Sequence, residues 1–190
     1  RPGWVVPDGE TVMKKWSCRI VGGVVALIAA VWLIGSQLPV EHYATTSAEY
    51  GHPPEAVWAV ISDFSTSSNW RSAIDTVDRL PDRNGRPSWR ETGSYGSMAL
   101  ELEEHLPPLR MVTRITDPDL PFGGRWTYEI EPLTRGSRLT ITENGEIYNP
   151  AFRFMARFVF GYTQTMNRYL EDLTTRLEIE VPPRTFRTAQ

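Results

Sequence analysis

One stretch of the chain, between Arg19 and Glu41, runs for 21 residues without an ionisable side chain. As an α-helix, which rises about 1.5 Å per residue, this stretch would span roughly 30 Å, the thickness of the hydrocarbon core of a bilayer. Two lysines and Arg19 precede it, and an acidic residue follows it. Because basic residues concentrate on the cytoplasmic side, the sequence predicts a transmembrane helix at residues 20–40, a cytoplasmic segment at residues 1–19 and a main domain outside the cytoplasm.

A cleaved signal peptide is the alternative interpretation of the same stretch. Met13 with the two lysines after it resembles a start residue and a basic leader, which would make Met13 the true start. Gly35-Ser36-Gln37 is a poor substitute for the small-residue site at which such peptides are cut. The sequence therefore favours an uncleaved single-pass anchor in the cytoplasmic membrane, with secretion after cleavage as the alternative.

Small residues recur every four positions on this predicted helix, at Gly22, Ala26 and Ala30. Such a stripe lets two membrane helices approach closely, so it is compatible with a weak homodimer. A monomeric anchor is the simpler alternative, because stripes of this kind are common by chance.

Charge and cysteine content exclude several classes of function. The whole chain has a net charge of −3, and residues 41–190 hold 16 arginines against 21 acidic side chains, for a net charge of −5. An acidic domain of this kind argues against nucleic acid as a partner. The single cysteine, Cys18, excludes an internal disulfide and any zinc site built from several cysteines.

The main domain begins with a predicted strand at residues 41–50 and two short helices. Pro53 and Pro54 are typical of a first helical turn, and apolar residues from Val57 to Phe64 recur at helical spacing. Ser65 is a plausible N-cap for a second short helix that carries Trp70.

The pattern then changes to alternation of apolar and polar residues, which is typical of antiparallel strands with one dry face. Turn residues separate the segments. The six predicted strands are residues 74–80, 86–92, 95–105, 109–116, 124–131 and 137–147.

A final helix is predicted from Asn149 and Pro150 to about Glu178, with an apolar stripe along one side. At about 40 Å it is long enough to lie across the dry face of a curved antiparallel sheet. The sequence thus predicts an α+β fold in residues 41–178, and a flexible tail in residues 179–190.

The motif PPEAVWAVISDFSTSSNW, with Pro54, Val57, Trp58, Asp63 and Trp70 at matching positions, resembles the opening of the START-like or SRPBCC superfamily. That superfamily includes polyketide cyclase/dehydrase-like proteins, coenzyme Q-binding proteins and lipid-transfer domains. The resemblance covers residues 42–178 and implies a helix-grip fold, with a hydrophobic cavity between the curved seven-stranded sheet and the long C-terminal helix. A transmembrane segment departs from the commonest soluble members, so their cytosolic roles are not carried over.

Strand parity and helix periodicity predict which apolar side chains line such a cavity. Aromatic and methionine side chains form an adaptable apolar wall, although the same residues would also fill a closed core. The predicted lining residues are Trp70, Trp89, Met98, Met111, Trp126, Tyr128, Phe152, Met155, Val159, Tyr162 and Met166.

Two carboxylates are candidates for acid–base catalysis. Glu91 and Glu143 share strand parity with apolar neighbours, and Tyr128 would supply a donor to polarise a carbonyl group. Solvated or salt-bridged carboxylates are the alternative, because a bulge near a strand end changes which face a side chain is on.

Three phenylalanines are predicted to border the cavity mouth or to contact the membrane: Phe122, Phe154 and Phe158. Partial burial under a loop is the alternative. The isolated histidines, His42, His52 and His105, have no metal-ligand spacing, and the sequence predicts neither a metal nor a cofactor.

The favoured hypothesis is therefore a membrane-tethered domain that binds or carries a hydrophobic small molecule or lipid without catalysis. A polyketide cyclase/dehydrase-like enzyme that uses Glu91 or Glu143 is the first alternative. An adaptor that docks another envelope protein is the second.

Overall fold

The computed structural model describes residues 9–180. The predictions for the chain before residue 9 and for the tail after residue 180 concern residues outside this range. The helices are α1 (Gly9–Gln37), α2 (Pro54–Ser62), a 3-10 helix (Phe64–Asn69), α3 (Pro150–Met155), a π-helical turn (Ala156–Phe160) and α4 (Gln164–Glu180). The strands are β1 (Glu41–Tyr50), β2 (Ile74–Arg83), β3 (Arg86–Gly93), β4 (Gly96–Leu106), β5 (Arg110–Ile115), β6 (Phe122–Pro132) and β7 (Ser137–Ile147).

The seven strands form one antiparallel sheet in the order β1-β7-β6-β5-β4-β3-β2. Strands β2 to β7 follow one another as neighbours, whereas β1 pairs with β7, from Glu41 opposite Glu146 to Tyr50 opposite Ser137. Helix α2 and the 3-10 helix connect the two edge strands, β1 and β2. The structure confirms the predicted α+β architecture with seven antiparallel strands.

The core lies between the dry face of the sheet and the helices. From the sheet, Met111, Leu139 and Ile141 are completely buried, and α4 contributes Met166 and Leu173, which are also completely buried. The alternation on the strands and the stripe on α4 therefore meet as predicted.

The C-terminal helix differs from the prediction because it is divided. The Asn149 side chain accepts hydrogen bonds from the backbone N–H groups of Ala151 and Phe152, which caps α3 as the sequence indicates. After the π-helical turn the helix ends at Gly161, whose φ of +75° suits glycine, and α4 begins three residues later. The 3-10 helix that follows α2 also differs from the prediction, because Asp63, rather than Ser65, occupies its N-cap position.

Helix α1 contains a span, Arg19–Gln37, that is long and apolar enough to cross a membrane by length and composition. Its mean hydropathy is 2.0, and 6% of it is buried. Apart from its own helix backbone and its two neighbours in sequence, no described atom lies within 4 Å of a Cβ placed at Gly22, and pairing through the small-residue stripe stays a prediction.

The C-terminal end of α1 is packed against α3. A Cβ atom added at Gly35 would lie 1.9 Å from the carbonyl oxygen of Pro150, so only glycine fits there without a shift of the backbone. The buried Arg153 side chain donates a hydrogen bond from Nε to the carbonyl oxygen of Gly35, at 3.0 Å. Three residues then separate α1 from β1.

Candidate functional site

A cavity of about 620 Å³ lies between the dry face of the sheet and the helices. Its wall is mainly apolar and is supplied by α2, the 3-10 helix, α3, the π-helical turn, α4 and the strands facing them. The larger apolar lining residues from the helices are Ile61, Phe64, Phe152, Met155 and Phe160, and those from the strands are Ile74, Trp89, Met98, Leu100, Ile115, Phe122, Trp126 and Ile147.

An ion pair is embedded in this apolar wall. Arg71 Nη1 donates to Glu91 Oε1 at 2.7 Å, and the indole Nε1 of Trp89 donates to the same oxygen at 3.1 Å. The Arg71 guanidinium also lies 5.1 Å from the centre of the Tyr169 ring. Burial disfavours the charged form of Arg71, but Glu91 and the nearby tyrosines more than offset this effect, so the pKa of the Arg71 guanidinium is raised.

Two buried tyrosines lie beside the ion pair. The ring centres of Tyr128 and Tyr169 are 5.7 Å apart, and Trp126 packs against both rings. Burial, which disfavours the phenolate, is the largest cause that raises the pKa of each hydroxyl. Both side chains therefore remain neutral and able to donate a hydrogen bond across the physiological range.

A second polar group faces the cavity from strands β1 and β7. The His42 ring stacks on Tyr162 with ring centres 4.4 Å apart, and its Nε2 lies 3.9 Å from Glu143 Oε2. Its Nδ1 atom is buried and has no hydrogen-bond partner in residues 9–180. Gly145, the partner of His42 in the β1–β7 register, leaves room for the ring, because a Cβ atom there would lie 2.2 Å from it.

Polar residues of α4 also line the cavity, and they connect α4 to the loop before β2. Asp172 accepts hydrogen bonds from the backbone N–H and the hydroxyl of Ser72, and Arg168 Nε donates to the same hydroxyl at 2.9 Å. These contacts hold α4 beside the segment that carries Arg71.

Most of the predicted lining residues lie in the cavity wall, but four do not. Met111 and Met166 are completely buried in the core. Trp70 packs edge-on against Tyr169, and within the described chain its buried Nε1 has no partner. Val159 is 57% exposed because the π-helical turn rotates it away from the sheet. The seven that line the wall are Trp89, Met98, Trp126, Tyr128, Phe152, Met155 and Tyr162.

The two candidate carboxylates and Tyr128 all line the cavity, on the side that strand parity indicates. Each carboxylate also has a partner, since Glu91 is paired with Arg71 and Glu143 lies near His42. The carboxylates thus face the cavity, as a catalytic role would require, and are also close to basic partners, as the alternative interpretation predicted.

The phenylalanines predicted at the mouth have different positions. Phe122 lines the cavity, but Phe154 and Phe158 do not; these two rings contact each other with centres 4.9 Å apart. Phe160, which the sequence analysis did not single out, lines the cavity and is also exposed.

Arg71, His42 and Tyr169 are among the polar lining residues that sequence reasoning missed. An arginine after Trp70 looks like a surface residue, and His42 looks isolated because its partners come from β7 and from the chain after Gly161. Tyr169 follows the buried Met166 by three residues on α4, so helical periodicity indicates that it shares the inner face.

Among residues 9–180, no three His, Cys, Asp or Glu side chains come together as a metal site would require.

Comparisons with known proteins agree with this architecture. The family model described as "Polyketide cyclase / dehydrase and lipid transport" matches residues 41–178. A START superfamily protein from Mycobacterium smegmatis is 19% identical, with a TM-score of 0.60, and the match covers 74% of this chain and 99% of that protein. The Zhui aromatase/cyclase from Streptomyces sp. R1128 is 12% identical, with a TM-score of 0.60, and the match covers 75% of this chain and 97% of that protein.

A third similar structure is the di-domain aromatase/cyclase StfQ of the steffimycin biosynthetic pathway. It is 10% identical, with a TM-score of 0.59, and the match covers 75% of this chain and 53% of that protein. A search of curated proteins finds no match. At these identities the solved structures establish the fold, and the family model establishes the membership. The chain therefore belongs, through residues 41–178, to the polyketide cyclase / dehydrase and lipid transport family, with a START-like helix-grip fold.

Proposed function

We propose that the domain binds a hydrophobic small molecule or lipid in its cavity and carries it at a membrane surface, without catalysis. The observation that carries the proposal is the mainly apolar cavity of about 620 Å³. This volume falls within the range of roughly 300–1,000 Å³ that is usual for small-molecule sites. The few polar groups in the wall would orient one end of the ligand.

A binding role is favoured because the groups suited to chemistry are engaged with each other. Glu91 accepts hydrogen bonds from Arg71 and Trp89, and is only 5% exposed. A general base needs a lone pair free to reach a substrate proton, and two donors already occupy Oε1 of Glu91. The ion pair thus serves better as a fixed hydrogen-bonding surface than as a proton acceptor.

The span Arg19–Gln37 supports a tether to the membrane. Lys14, Lys15 and Arg19 precede it, which favours a cytoplasmic N-terminus with the domain outside. A tether would keep the cavity near lipid ligands and raise their effective concentration. Cleavage of α1 as a signal peptide is the alternative.

The proposal is tested by loading the full chain in the membrane and then releasing the domain. A protease site inserted between Gln37 and Glu41 allows the domain to be cleaved off without detergent and analysed by native mass spectrometry. We expect a bound apolar molecule. Leu100→Trp should remove it, because Leu100 lines the cavity and a larger ring would occupy the space.

The matched control is Leu109→Trp, at an exposed position on the turn between β4 and β5. A released domain that carries no ligand and takes up no fluorescent phospholipid would contradict the proposal. Equal loading of both tryptophan variants would show that ligand binds elsewhere.

A cyclase-like enzyme is the second candidate, and His42 is the observation that favours it. Its buried, unpartnered Nδ1 and the nearby Glu143 form a polar pair that faces the cavity. Turnover of a polyketide substrate that is lost in both His42→Gln and Glu143→Gln, with ligand binding retained, would establish this alternative. Unchanged turnover in Glu91→Gln and Glu143→Gln would exclude both carboxylates as the base.

A further inference from the structure

The mouth of the cavity is bordered by exposed apolar side chains. Phe152 and Phe160 both line the cavity and are more than half exposed, at 51% and 58%. Phe158 and Val159, between them in sequence, are exposed to a similar extent. These four residues are called the apolar rim here. An exposed apolar patch of this kind marks a surface that contacts a protein, a membrane or a ligand.

The segment that carries the apolar rim, α3 with the π-helical turn after it, is also the segment against which α1 packs. Gly35, near the end of α1, lies directly against Pro150, the first residue of α3. The buried Arg153 side chain donates to the carbonyl oxygen of Gly35 at 3.0 Å. A cation at this position suits a helix C-terminus, because the last carbonyl groups of a helix lack partners within it and carry partial negative charge. The contact therefore fixes the apolar rim relative to the end of α1.

The position of this contact along α1 gives the depth of the apolar rim in a bilayer. Gly35 lies two residues before the end of the apolar span at Gln37, which corresponds to about 3 Å of helix. Trp32, one turn earlier, is an aromatic residue of the type that concentrates at membrane interfaces. Exposed Arg157, within the same π-helical turn, is suited to contact lipid phosphates. A bilayer crossed by α1 would thus have its outer interface at the level of α3.

We propose that the partner of the apolar rim is the outer surface of the same bilayer that α1 crosses. The contact between Arg153 and Gly35 holds the cavity mouth against that surface, so a lipid passes between the acyl region and the cavity without crossing water. This inference rests on the proposed function, because it assigns the source from which the cavity is loaded.

The test measures how deeply the apolar rim lies in a membrane that holds the full chain. In a Cys18→Ser background, Val159→Cys is labelled with a small fluorophore, and the chain is placed in nanodiscs of phosphatidylcholine with brominated acyl chains. The control label is at Leu109→Cys, which is also exposed. Leu109 lies beside Ile130, near the end of β6 opposite to Phe122. The eight residues from Phe122 to Ile130 correspond to roughly 26 Å of strand. We expect strong quenching at position 159 and none at position 109.

Two further variants distinguish a loss of membrane contact from a loss of folding. Arg153→Gln should reduce quenching at position 159 toward that of the control, while far-UV circular dichroism and the melting temperature report whether the domain still folds. Phe158→Ser with Val159→Ser changes two exposed residues that do not line the cavity. It should slow uptake of a fluorescent phospholipid from the nanodisc by about tenfold or more, because half-exposed apolar side chains no longer enter the interface. Binding of the same lipid at equilibrium should be unchanged.

An unquenched label at position 159 would overturn the inference, whether the apolar rim then contacts water or another protein. Lipid found in the released domain together with an unquenched label would refute the membrane contact and leave the proposed function intact. Strong quenching with an empty cavity would do the reverse, refuting the carrier function while the membrane contact stands.

Discussion

The ion pair between Arg71 and Glu91 gives the sharpest prediction about stability. Replacing Arg71 by methionine keeps much of its apolar contact with Tyr169 but leaves the Glu91 carboxylate without a counter-ion in the cavity wall. The side chains of Arg71 and Glu91 are 18% and 5% exposed, so the site is mostly shielded from water. Charge centres about 4 Å apart attract each other by roughly 4 kcal/mol at an effective dielectric constant near 20.

Removing one partner of a buried pair typically costs about 3–5 kcal/mol, because the other charge remains buried and unpaired. The partial exposure of Arg71 to the cavity admits some water, so we expect Arg71→Met to fall at the lower end, about 3 kcal/mol. Adding Glu91→Gln should restore most of this loss, because glutamine is neutral and its carbonyl oxygen still accepts from Trp89 Nε1. Glu91→Gln alone should destabilise by less than Arg71→Met.

The free energy of unfolding is measured by urea denaturation of the released domain, with circular dichroism and tryptophan fluorescence required to give the same transition. An Arg71→Met variant within about 1 kcal/mol of the wild type would refute the reasoning. So would a double variant as unstable as the single one, since the loss would then arise from packing rather than from the unpaired carboxylate.

Three further predictions concern other parts of the structure. Asn149→Ala should lower the free energy of unfolding by about 1 kcal/mol, because the side chain caps α3, and Asn149→Asp should retain most of it; equal losses would contradict the capping role. Burial raises the pKa of Tyr50 from 10.0 to about 12, so its stabilising effect is complete below pH 10 and is lost as the pH rises through 12. In alkaline denaturation Tyr50→Phe should reduce this loss of unfolding free energy by about 3 kcal/mol. An unchanged dependence of the unfolding free energy on pH would contradict this prediction. Gly35→Leu should separate α1 from α3 and raise the mobility of a spin label at Val159, whereas Gly22→Leu, at an open position, should not.

The strands could be predicted from the sequence because alternation is a local property of a half-buried sheet. The break after the π-helical turn could not, since Gly161 falls within a stripe whose spacing fits one continuous helix. Its φ of +75° is a conformation that the apolar spacing does not indicate. The π-helical turn that precedes Gly161 moved Val159 out of the cavity wall.

The polar residues of the candidate site could not be predicted from the sequence for a related reason. An arginine is usually exposed, and nothing near Arg71 in sequence indicates that Glu91 and Tyr169 will surround it. Likewise, His42 enters the cavity wall only because β1 pairs with β7, which brings Gly145 beneath the ring. These contacts link residues about 20 to 100 positions apart, so they follow from the topology of the sheet and not from any local pattern.

The three residues between α1 and β1, Leu38 to Val40, determine how far the domain can travel from a membrane that α1 crosses. Fully extended, three residues reach only about 10 Å, far less than the width of the domain that they hold. A domain that carried a ligand as proposed, on so short a tether, would search for it by lateral diffusion within one bilayer. Its acceptor would then have to come to that bilayer, and delivery to a distant membrane would require a second, freely moving protein.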